Sequence, residues 1–255
     1  MRISTPLAAA CALGIGGMSL PAAAQVNIEA LGLTLTATPA AQSDYLFRGI
    51  SQTRNRPALQ LTLDLEHSSG FYIGAFASNV AFLGTNARQE IDALAGYRFE
   101  LATVKFDIGG IYYTYPGYQA QPGQLELSYW EVALKASRAF GPVKLLGSFN
   151  VSPNYFGRSG NSFYLEGGAD VTLPWEFQLS GRLGYTWIDR NPRFGTPDYL
   201  WYGIWLQRTF FNFTVFGGWY GTNISQRDCA PVAGRADDGQ KVCDGRFMFG
   251  VSYTF

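Results

Sequence analysis

The feature that most constrains the fold is an alternation of long and short links between strand-like segments. In residues 59–66, LQLTLDLE, leucines alternate with polar residues, which is the two-residue period of a strand with one apolar face. Similar segments recur along the chain and predict about twelve strands and no helix. The first of these strands is predicted over residues 31–48. Long links, such as residues 115–124, alternate along the chain with short links, such as residues 102–103. A meander of these strands places every long link at one end.

This combination of strand number, strand length and link length is typical of barrels that cross an outer membrane. Such barrels have an even number of strands, short periplasmic turns and long external loops. Tilted strands of about ten residues cross a bilayer, and closure removes the sheet edges that a bilayer cannot solvate. We therefore predict an all-β fold, a transmembrane antiparallel up-and-down β-barrel of about twelve strands.

The composition supports a chain that faces lipid. Of the 255 residues, 47% are hydrophobic and 16% are aromatic, whereas only 15% are charged. Soluble secreted domains carry more charge than this. The 19 basic and 19 acidic residues balance, so the sequence predicts no nucleic-acid partner.

The N-terminus reads as an export signal. Arg2 precedes a short apolar stretch over residues 7–20, and Ala22, Ala23 and Ala24 form a small-residue cleavage site. These are the parts of a cleaved signal peptide. We predict a signal peptide over residues 1–24, a single barrel domain over residues 25–255, and a location in the outer membrane of a Gram-negative cell. A lipoprotein site at Cys11 is the weaker interpretation.

Cleavage after Ala24 would leave two cysteines in the chain, Cys229 and Cys243. They flank a polar, glycine-containing segment. Two cysteines in an exported chain allow one pairing, and we predict a disulfide. A metal site is the weaker interpretation, because the segment offers no further His or Cys ligands at suitable spacing. The sequence predicts no cofactor.

Strand parity assigns the polar faces of the strands to the barrel interior. The candidate pore-lining residues are Arg48, Asp64, Asp92, Arg98, Asp107, Glu131, Lys135, Asp170 and Arg182. The same parity adds Asp44, Glu66, Glu100, Lys105, Lys144, Glu166 and Glu176. A charged interior needs water or ion partners, because an unpaired buried charge is costly. Both a narrow water-filled path and a polar plug of paired charges are compatible with this pattern.

Several blocks of sequence resemble one known family. Residues 43–52, SDYLFRGISQ, are similar to the first block of the TorF family of proposed porins, also catalogued as the Gcw_chp domain. The later blocks, in family order, are 70–74 GFYIG, 77–80 ASNV, 90–92 EID, 112–117 YYTYPG and 152–157 SPNYFG. The resemblance implies an outer-membrane barrel with a pore. The ending at Tyr253 and Phe255 also resembles the C-terminal signal that barrel-assembly machinery recognises.

The expected function is passive diffusion of small hydrophilic solutes. Acids outnumber bases among the assigned interior residues, and carboxylates in a narrow passage favour cations, so the expected ion preference is weakly cationic. A closed structural or adhesion barrel that acts through its external loops is the alternative. A hydrolase ranks third: His67 lies beside Ser68 and Ser69, but adjacent strand side chains point apart. We predict no enzymatic activity.

The long links are rich in arginine, including Arg54, Arg56, Arg88, Arg158 and Arg190. Guanidinium groups bind phosphate through paired hydrogen bonds. We therefore expect contacts with lipopolysaccharide as well as with outer-membrane lipid.

Overall fold

The structure is a computed structural model that describes residues 26–120, 125–229 and 241–255, so the predicted signal peptide lies outside the described residues. It contains fifteen strands, of which twelve form a closed antiparallel barrel. The strands are β1 (Val26–Ile28), β2 (Leu33–Gln42), β3 (Leu46–Phe47), β4 (Ile50–Ser51), β5 (Ala58–His67), β6 (Phe71–Asn79), β7 (Gln89–Leu101), β8 (Val104–Thr114), β9 (Tyr129–Phe140), β10 (Val143–Ser152), β11 (Ser162–Thr172), β12 (Phe177–Ile188), β13 (Tyr199–Phe210), β14 (Phe213–Thr222) and β15 (Arg246–Tyr253).

The barrel wall consists of β2 and β5 to β15, each paired with its neighbours in sequence, and β15 closes against β2. β1 folds back on β2, and β3 and β4 form a small separate hairpin. In the part of the chain that the structure describes, helical structure consists of one turn, α1 (Asn191–Phe194), and four 3-10 turns. Within the described ranges, no helix is long and apolar enough to cross a bilayer. The predicted fold is confirmed.

The links alternate as the sequence predicts. Residues 43–57, 80–88, 115–128, 153–161, 189–198 and 223–245 connect strands at one end, which we call the long-loop end. At the other, short-turn end, three links have two residues: Ala102–Thr103, Gly141–Pro142 and Phe211–Asn212. In the first and the third, both residues have positive φ. Turns of this kind match the right-handed twist of the strands they join.

The barrel is apolar outside and polar inside. On β5, Leu59 is 71% exposed, whereas Gln60 is buried at 6% and Asp64 at 8%. The same alternation holds on β7, where Ile91 points outward and Asp92 is buried. A soluble sandwich buries its apolar faces, so this inverted arrangement is that of a barrel surrounded by lipid.

Aromatic rings form a belt around the outside of the short-turn end. Phe71 packs against Tyr97, and Phe213 against Tyr253, with ring centroids 4.7 and 4.6 Å apart. Tyr253 also contacts Phe255 at 4.6 Å. Exposed arginines stack on this belt, as Arg208 does on Phe177. Aromatic belts of this kind occupy the membrane–water interface.

The first wall strand differs from the prediction. It starts at Leu33 and ends at Gln42, not at residue 48, because the chain turns into the barrel after Gln42. Pro39, which lacks an amide hydrogen, lies within β2. Its partner in the ladder to β5 is Leu61. On its other side, the ladder to β15 covers Ala40–Gln42, and the Phe255 amide donates to Ala37 O at 2.8 Å beyond the proline.

Candidate functional site

The candidate site is the barrel interior, which divides into two halves. The lower lumen is the half nearer the short turns, and the upper lumen is the half nearer the long loops. Strand direction assigns each residue: β7 runs from Gln89 at the long-loop end to Leu101 at the short-turn end. Glu90 and Asp92 therefore belong to the upper lumen, and Arg98 belongs to the lower lumen.

One cluster in the lower lumen centres on Arg98. Its guanidinium donates two hydrogen bonds to Asp64, at 2.9 and 2.8 Å, and also pairs with Glu66. Asp107, directly opposite on β8, lies 3.5 Å away. The Tyr72 ring lies beneath the guanidinium at 3.7 Å, and its hydroxyl donates to Asp107 at 2.8 Å. One cation on β7 thus links three carboxylates, two from β5 and one from β8.

Small residues make this cluster possible. Tyr72 crosses the interior face of the sheet over Gly96 and Gly109. A Cβ at Gly96 would lie 2.6 Å from the Tyr72 hydroxyl, and one at Gly109 would lie 2.4 Å from it. Real Cβ atoms do not approach oxygen that closely, so both glycines leave room for the ring that supports Arg98.

A second cluster in the lower lumen centres on Asp170 of β11. It pairs with Arg182 at 2.6 Å and with Lys144 at 2.8 Å, and Ser180 donates to it at 2.9 Å. Lys144 and Ser180 face Asp170 from the adjacent strands. Arg182 also lies 5.1 Å from the centre of the Trp205 ring. Direct cross-strand neighbours therefore build this cluster, as in sheets generally.

The upper lumen is occupied by the first long link, residues 43–57, which we call the inward loop. Its β3–β4 hairpin turns at Arg48 and Gly49, which have φ values of 49° and 81°. Two positive φ values define a tight hairpin turn, and this turn carries Arg48 at its tip. A Cβ at Gly49 would lie 2.7 Å from Thr222 and 2.8 Å from Trp201, so the tip fits only a residue without a side chain.

Arg48 is fixed to the opposite wall. Its guanidinium donates to both oxygens of Glu131 on β9, at 3.0 and 2.8 Å. It also lies over the Tyr164 ring at 3.9 Å. Exposure of the two side chains is 6% and 1%. A paired charge with cation–π support is what a water-poor interior requires.

Asp44 organises the base of the inward loop. It accepts hydrogen bonds from Ser51 at 2.7 Å and Thr53 at 2.6 Å, and it pairs with Arg246 of β15 at 2.9 Å. Burial raises the pKa of this carboxyl above its usual value, although these donors oppose the shift. The contact with Arg246 fixes the loop to the last wall strand.

Aromatic packing completes the closure of the upper lumen. Tyr45 is fully buried, packs on Phe76, and donates to Glu90 at 2.6 Å. Phe47 packs edge-on against Tyr113 with centroids 5.8 Å apart. Above the loop, a small pocket of about 40 Å³ remains between aromatic rings and Glu90, and we call it the mouth pocket. The sequence analysis did not foresee it.

The disulfide lies beside the inward loop. Cys229 and Cys243 are bonded and both are fully buried. Val242 O, next to Cys243, accepts a hydrogen bond from the Ser51 amide at 2.9 Å. The predicted pairing is therefore present in the structure, and it lies next to Val242, which binds the inward loop.

Sequence comparison now identifies the family. Residues 28–255 match the family model described as "Bacterial protein of unknown function (Gcw_chp)". The chain belongs to the Gcw_chp family. This match confirms the resemblance to the Gcw_chp domain, and it includes residues 43–52, which fold into the interior of this barrel. No curated protein matches the sequence.

Solved structures show the same fold as this Gcw_chp chain. A structure titled "KdgM porin" is similar with a TM-score of 0.53 and 11% identity, over 87% of this chain and 98% of that one. A structure titled "NanC porin structure in rhombohedral crystal form" has a TM-score of 0.57 and 9% identity, over 86% and 98%. At these identities the similarity concerns the barrel fold.

The structure places all the predicted pore-lining residues of this Gcw_chp barrel in the interior. Arg98, Asp64 and Asp107 meet in one lower cluster, Asp170 and Arg182 in the other, and Glu131 binds Arg48. Lys135 is half-buried on β9 opposite Asp107. Asp92 is 1% exposed, and its oxygens accept no hydrogen bond from a described side chain.

Four assignments from strand parity need correction. Asp44 and Arg48 are inside, but they belong to the inward loop and not to the first strand. Glu100 and Glu176 are exposed at the short-turn end, Glu176 in the turn before β12. Sequence analysis missed two interior charges, Glu90 and Arg246. Each stands two residues before another inward-facing side chain, Asp92 and Met248 respectively, so parity could have identified both.

His67 and Ser69, which are two positions apart, are in contact at the end of β5, whereas the expectation that side chains point apart concerned adjacent strand residues. Ser69 Oγ lies 2.7 Å from His67 Nδ1, and the Ser69 amide donates to the same nitrogen at 3.1 Å. Both residues are exposed in the turn after β5. The geometry is that of a local turn, and no hydrogen bond joins His67 Nε2 to a carboxylate of a described residue.

Proposed function

We propose that the chain is an outer-membrane channel protein that admits small hydrophilic solutes through its lumen. The observation that carries this proposal is the inverted barrel: an apolar exterior around an interior with charged side chains in both halves. A bilayer accepts such a surface, and a charged interior favours water and polar solutes over lipid. The two similar structures bear the word porin in their titles, which supports the same function.

The proposed location is the outer membrane, reached through a cleaved signal peptide. The closed wall leaves no free edge for the bilayer to solvate, and the outer aromatic belt matches an interface. Tyr253 and Phe255 lie in that belt. At this position they would contact lipid and would be recognised by the barrel-assembly machinery. Exposed arginines of the long loops, such as Arg158, would bind the phosphate groups of lipopolysaccharide through their paired hydrogen-bond donors.

The proposed passage prefers cations weakly. Among the described interior side chains the acids are Asp44, Asp64, Glu66, Glu90, Asp92, Asp107, Glu131, Glu166 and Asp170, and the bases are Arg48, Arg98, Lys105, Lys135, Lys144, Arg182 and Arg246. Acids are the more numerous group. Because charges in a narrow passage are screened less than charges at the mouth, the interior excess of carboxylates decides the preference.

The inward loop is the proposed barrier of this channel. It fills the upper lumen with buried side chains, and its tip binds the far wall through Arg48 and Glu131. The wall strands pair with one another without it. Conduction therefore requires the loop to leave the lumen or shift within it, while the barrel remains intact.

A closed barrel that acts through its external loops is the second candidate. The observation that favours it is the pairing of interior charges, since Arg48, Arg98 and Asp170 all have ionic partners. A lumen whose charged side chains all form ion pairs does not need water to stabilise them. In this case the inward loop is a permanent plug.

Single-channel recording in a planar bilayer separates the two candidates. The test compares the wild type with Arg48→Ala, which removes the tip contact, and with Arg158→Ala, an exposed loop arginine that serves as control. The channel proposal expects openings in the wild type that become more frequent in Arg48→Ala and stay the same in Arg158→Ala. Silent membranes for all three proteins, with correct folding shown by a heat-dependent shift on gels, would overturn it in favour of the closed barrel.

A further inference from the structure

We propose that Glu90 and Asp92 are a proton-operated latch for the inward loop. While the loop closes the upper lumen, both carboxyls hold a proton, and their ionisation at higher pH releases the loop. The inference rests on the proposed function for its physiological meaning, since it names what controls the proposed barrier. The contacts by which the loop covers these two acids carry the argument.

The inward loop covers the wall on both sides of Asp92. In the sheet, the direct neighbours of Asp92 are Phe76 on β6 and Tyr113 on β8. Tyr45 of the loop packs on Phe76 with ring centroids 5.7 Å apart, and Phe47 packs on Tyr113 at 5.8 Å. Asp92, between these two contacts, is 1% exposed. Its burial therefore depends on the position of the loop.

Asp92 lacks a cationic partner among the described residues. Its two oxygens accept no hydrogen bond from a described side chain. Arg48, the basic residue at the loop tip, donates to both oxygens of Glu131 and lies over the Tyr164 ring. A charge on Asp92 would be buried without compensation, which is costly, whereas the protonated carboxyl carries no charge to solvate. The closed lumen therefore favours the protonated form.

Glu90 connects the loop to the same group of acids. It stands two residues before Asp92 on the inward face of β7 and is 2% exposed. The Tyr45 hydroxyl donates to it at 2.6 Å, and the Tyr115 hydroxyl also forms a hydrogen bond with it. Both donors are uncharged. Because side chains two positions apart on a strand point the same way, negative charges on both acids would repel each other.

The position of the loop and the protonation of the two acids are therefore linked. With the loop inside, Glu90, Asp92 and Glu131 share one cation, and the closed state keeps protons on the two acids that lack it. With the loop outside, water reaches both carboxyls, and exposed carboxyls are ionised above about pH 5. Because the closed state binds protons that the open state releases, a rise in pH shifts the equilibrium towards the open state.

Interior acids that have a cationic partner do not contribute to this response. In the lower lumen, Asp64 is paired with Arg98 at 2.8 Å. Asp44, the acid of the inward loop itself, is paired with Arg246 at 2.9 Å. These pairs stabilise the ionised carboxylates, so a rise in pH does not weaken them. The latch is thus confined to the two acids beneath the loop.

Thiol accessibility in the loop tests the latch without any need for conduction. The cysteines of the mature barrel are bonded to each other, so Leu46→Cys, at a loop position that is 6% exposed, adds a single free thiol. Asn86→Cys, exposed in the next long loop, is the control. The measured quantity is the rate of labelling by a water-soluble maleimide, Leu46→Cys divided by Asn86→Cys, which removes the effect of pH on the thiol. Between about pH 6 and about pH 9 this ratio should rise roughly tenfold or more.

Neutral side chains of the same shape complete the test. The Glu90→Gln, Asp92→Asn double variant should keep a low labelling ratio at every pH, because neither side chain has a proton to lose. A constant ratio in the wild type, or the same rise in the double variant, would overturn the latch. If the double variant lacks the heat-dependent gel shift of a folded barrel, Asp92→Asn alone decides. It should reduce the steepness of the rise, and a wild-type slope would overturn the latch.

Planar-bilayer recordings over the same pH range separate the latch from the channel. Loop release at high pH without any openings would refute the channel and leave the latch standing. Openings whose frequency does not change with pH, together with a constant labelling ratio, would refute the latch and leave the channel standing. Openings that become more frequent as the labelling ratio rises would support both.

Discussion

The upper and lower halves of the lumen are closed in different ways. In the lower lumen, the ion pairs join side chains of the wall itself, as Arg98 joins β7 to β5 and β8. In the upper lumen, the closing element is a loop that touches the wall through side chains and a few backbone hydrogen bonds. The lower closure therefore belongs to the stability of the barrel, and the upper closure can be removed without breaking a wall ladder.

Because the two halves are closed differently, mutations in them should affect two different properties, the stability of the barrel and its conductance. Breaking a lower cluster leaves several carboxylates buried without their cation, and the wall cannot rearrange to solvate them cheaply. Breaking the upper pair frees a loop, which can carry Arg48 towards water. We expect lower-lumen variants to change mainly stability and upper-lumen variants to change mainly conductance.

The largest expected effect comes from replacing the loop tip. Exchange of residues 45–52 for a glycine–serine sequence of equal length removes Arg48 and the buried Tyr45 from the lumen. Conductance in planar bilayers should rise several-fold, because the buried side chains of the tip no longer fill the upper lumen. A replacement of residues 83–86, which lie in the middle of the next long loop and are exposed or half-buried, is the control and should have no effect. Unchanged conductance after the tip exchange would show that the lower clusters limit the passage.

The next effect concerns Arg98. Arg98→Ala leaves Asp64, Glu66 and Asp107 without their shared cation, so it should lower the free energy of unfolding by about 3–5 kcal/mol. Urea unfolding in detergent or lipid, followed by tryptophan fluorescence, measures this. Arg48→Ala should cost clearly less, because its loop can relax, and Arg138→Ala on the outer surface should cost little. An equal loss for Arg48→Ala and Arg98→Ala would contradict the division into two halves.

Ion selectivity gives a smaller effect. Asp92→Asn removes a carboxylate that has no cationic side-chain partner in the described structure, so it should shift the reversal potential in a salt gradient towards anions. Glu131→Gln and Asp170→Asn should shift it in the same direction. Neutralisation of Arg56, which is exposed at the end of the inward loop, should matter little, since charges in water are screened within about 8–10 Å. A wild type that prefers chloride would refute the proposed selectivity.

The disulfide is expected to have the smallest effect on stability. A bond that closes a loop of this size stabilises by roughly 3 kcal/mol in the chain-entropy model, but here it orders an external segment. The Cys229→Ser, Cys243→Ser variant should unfold within about 1 kcal/mol of the wild type. It should nevertheless open more often, because Val242 O holds Ser51. Thiol labelling of the native protein without reduction would contradict the pairing.

Sequence reasoning was most successful where the wall determines the position of a residue. Alternation along β5 and β7 assigned Asp64 and Arg98 to the interior, and strand pairing then had to bring them together. The alternation of apolar and polar residues also predicted the fold. Few folds other than an antiparallel barrel combine strands of this period with alternating long and short links.

The upper lumen was not predictable in the same way. Arg48 was assigned to the interior as part of a long first strand, and the position was correct although the element was wrong. The direction in which a long loop folds depends on contacts distant in sequence, such as Asp44 with Arg246 and Tyr45 with Glu90. Neither contact has a local pattern, and the mouth pocket exists only after these contacts form.

The seam between β15 and β2 bears on how the barrel is assembled. Its ladder runs over Ala40–Gln42 and Gly250–Ser252, the shortest between two wall strands, whereas β7 and β8 pair from Ile91 to Leu101. Joining the two ends of a chain is also the most non-local contact in a meander, with the highest entropic cost of closure. The seam should therefore form last, after the hairpin that hangs from β2 has entered a still-open sheet. Pulse-labelled hydrogen exchange during refolding should protect Ala41 later than Leu94, and the reverse order would mean that the plug enters a finished cylinder.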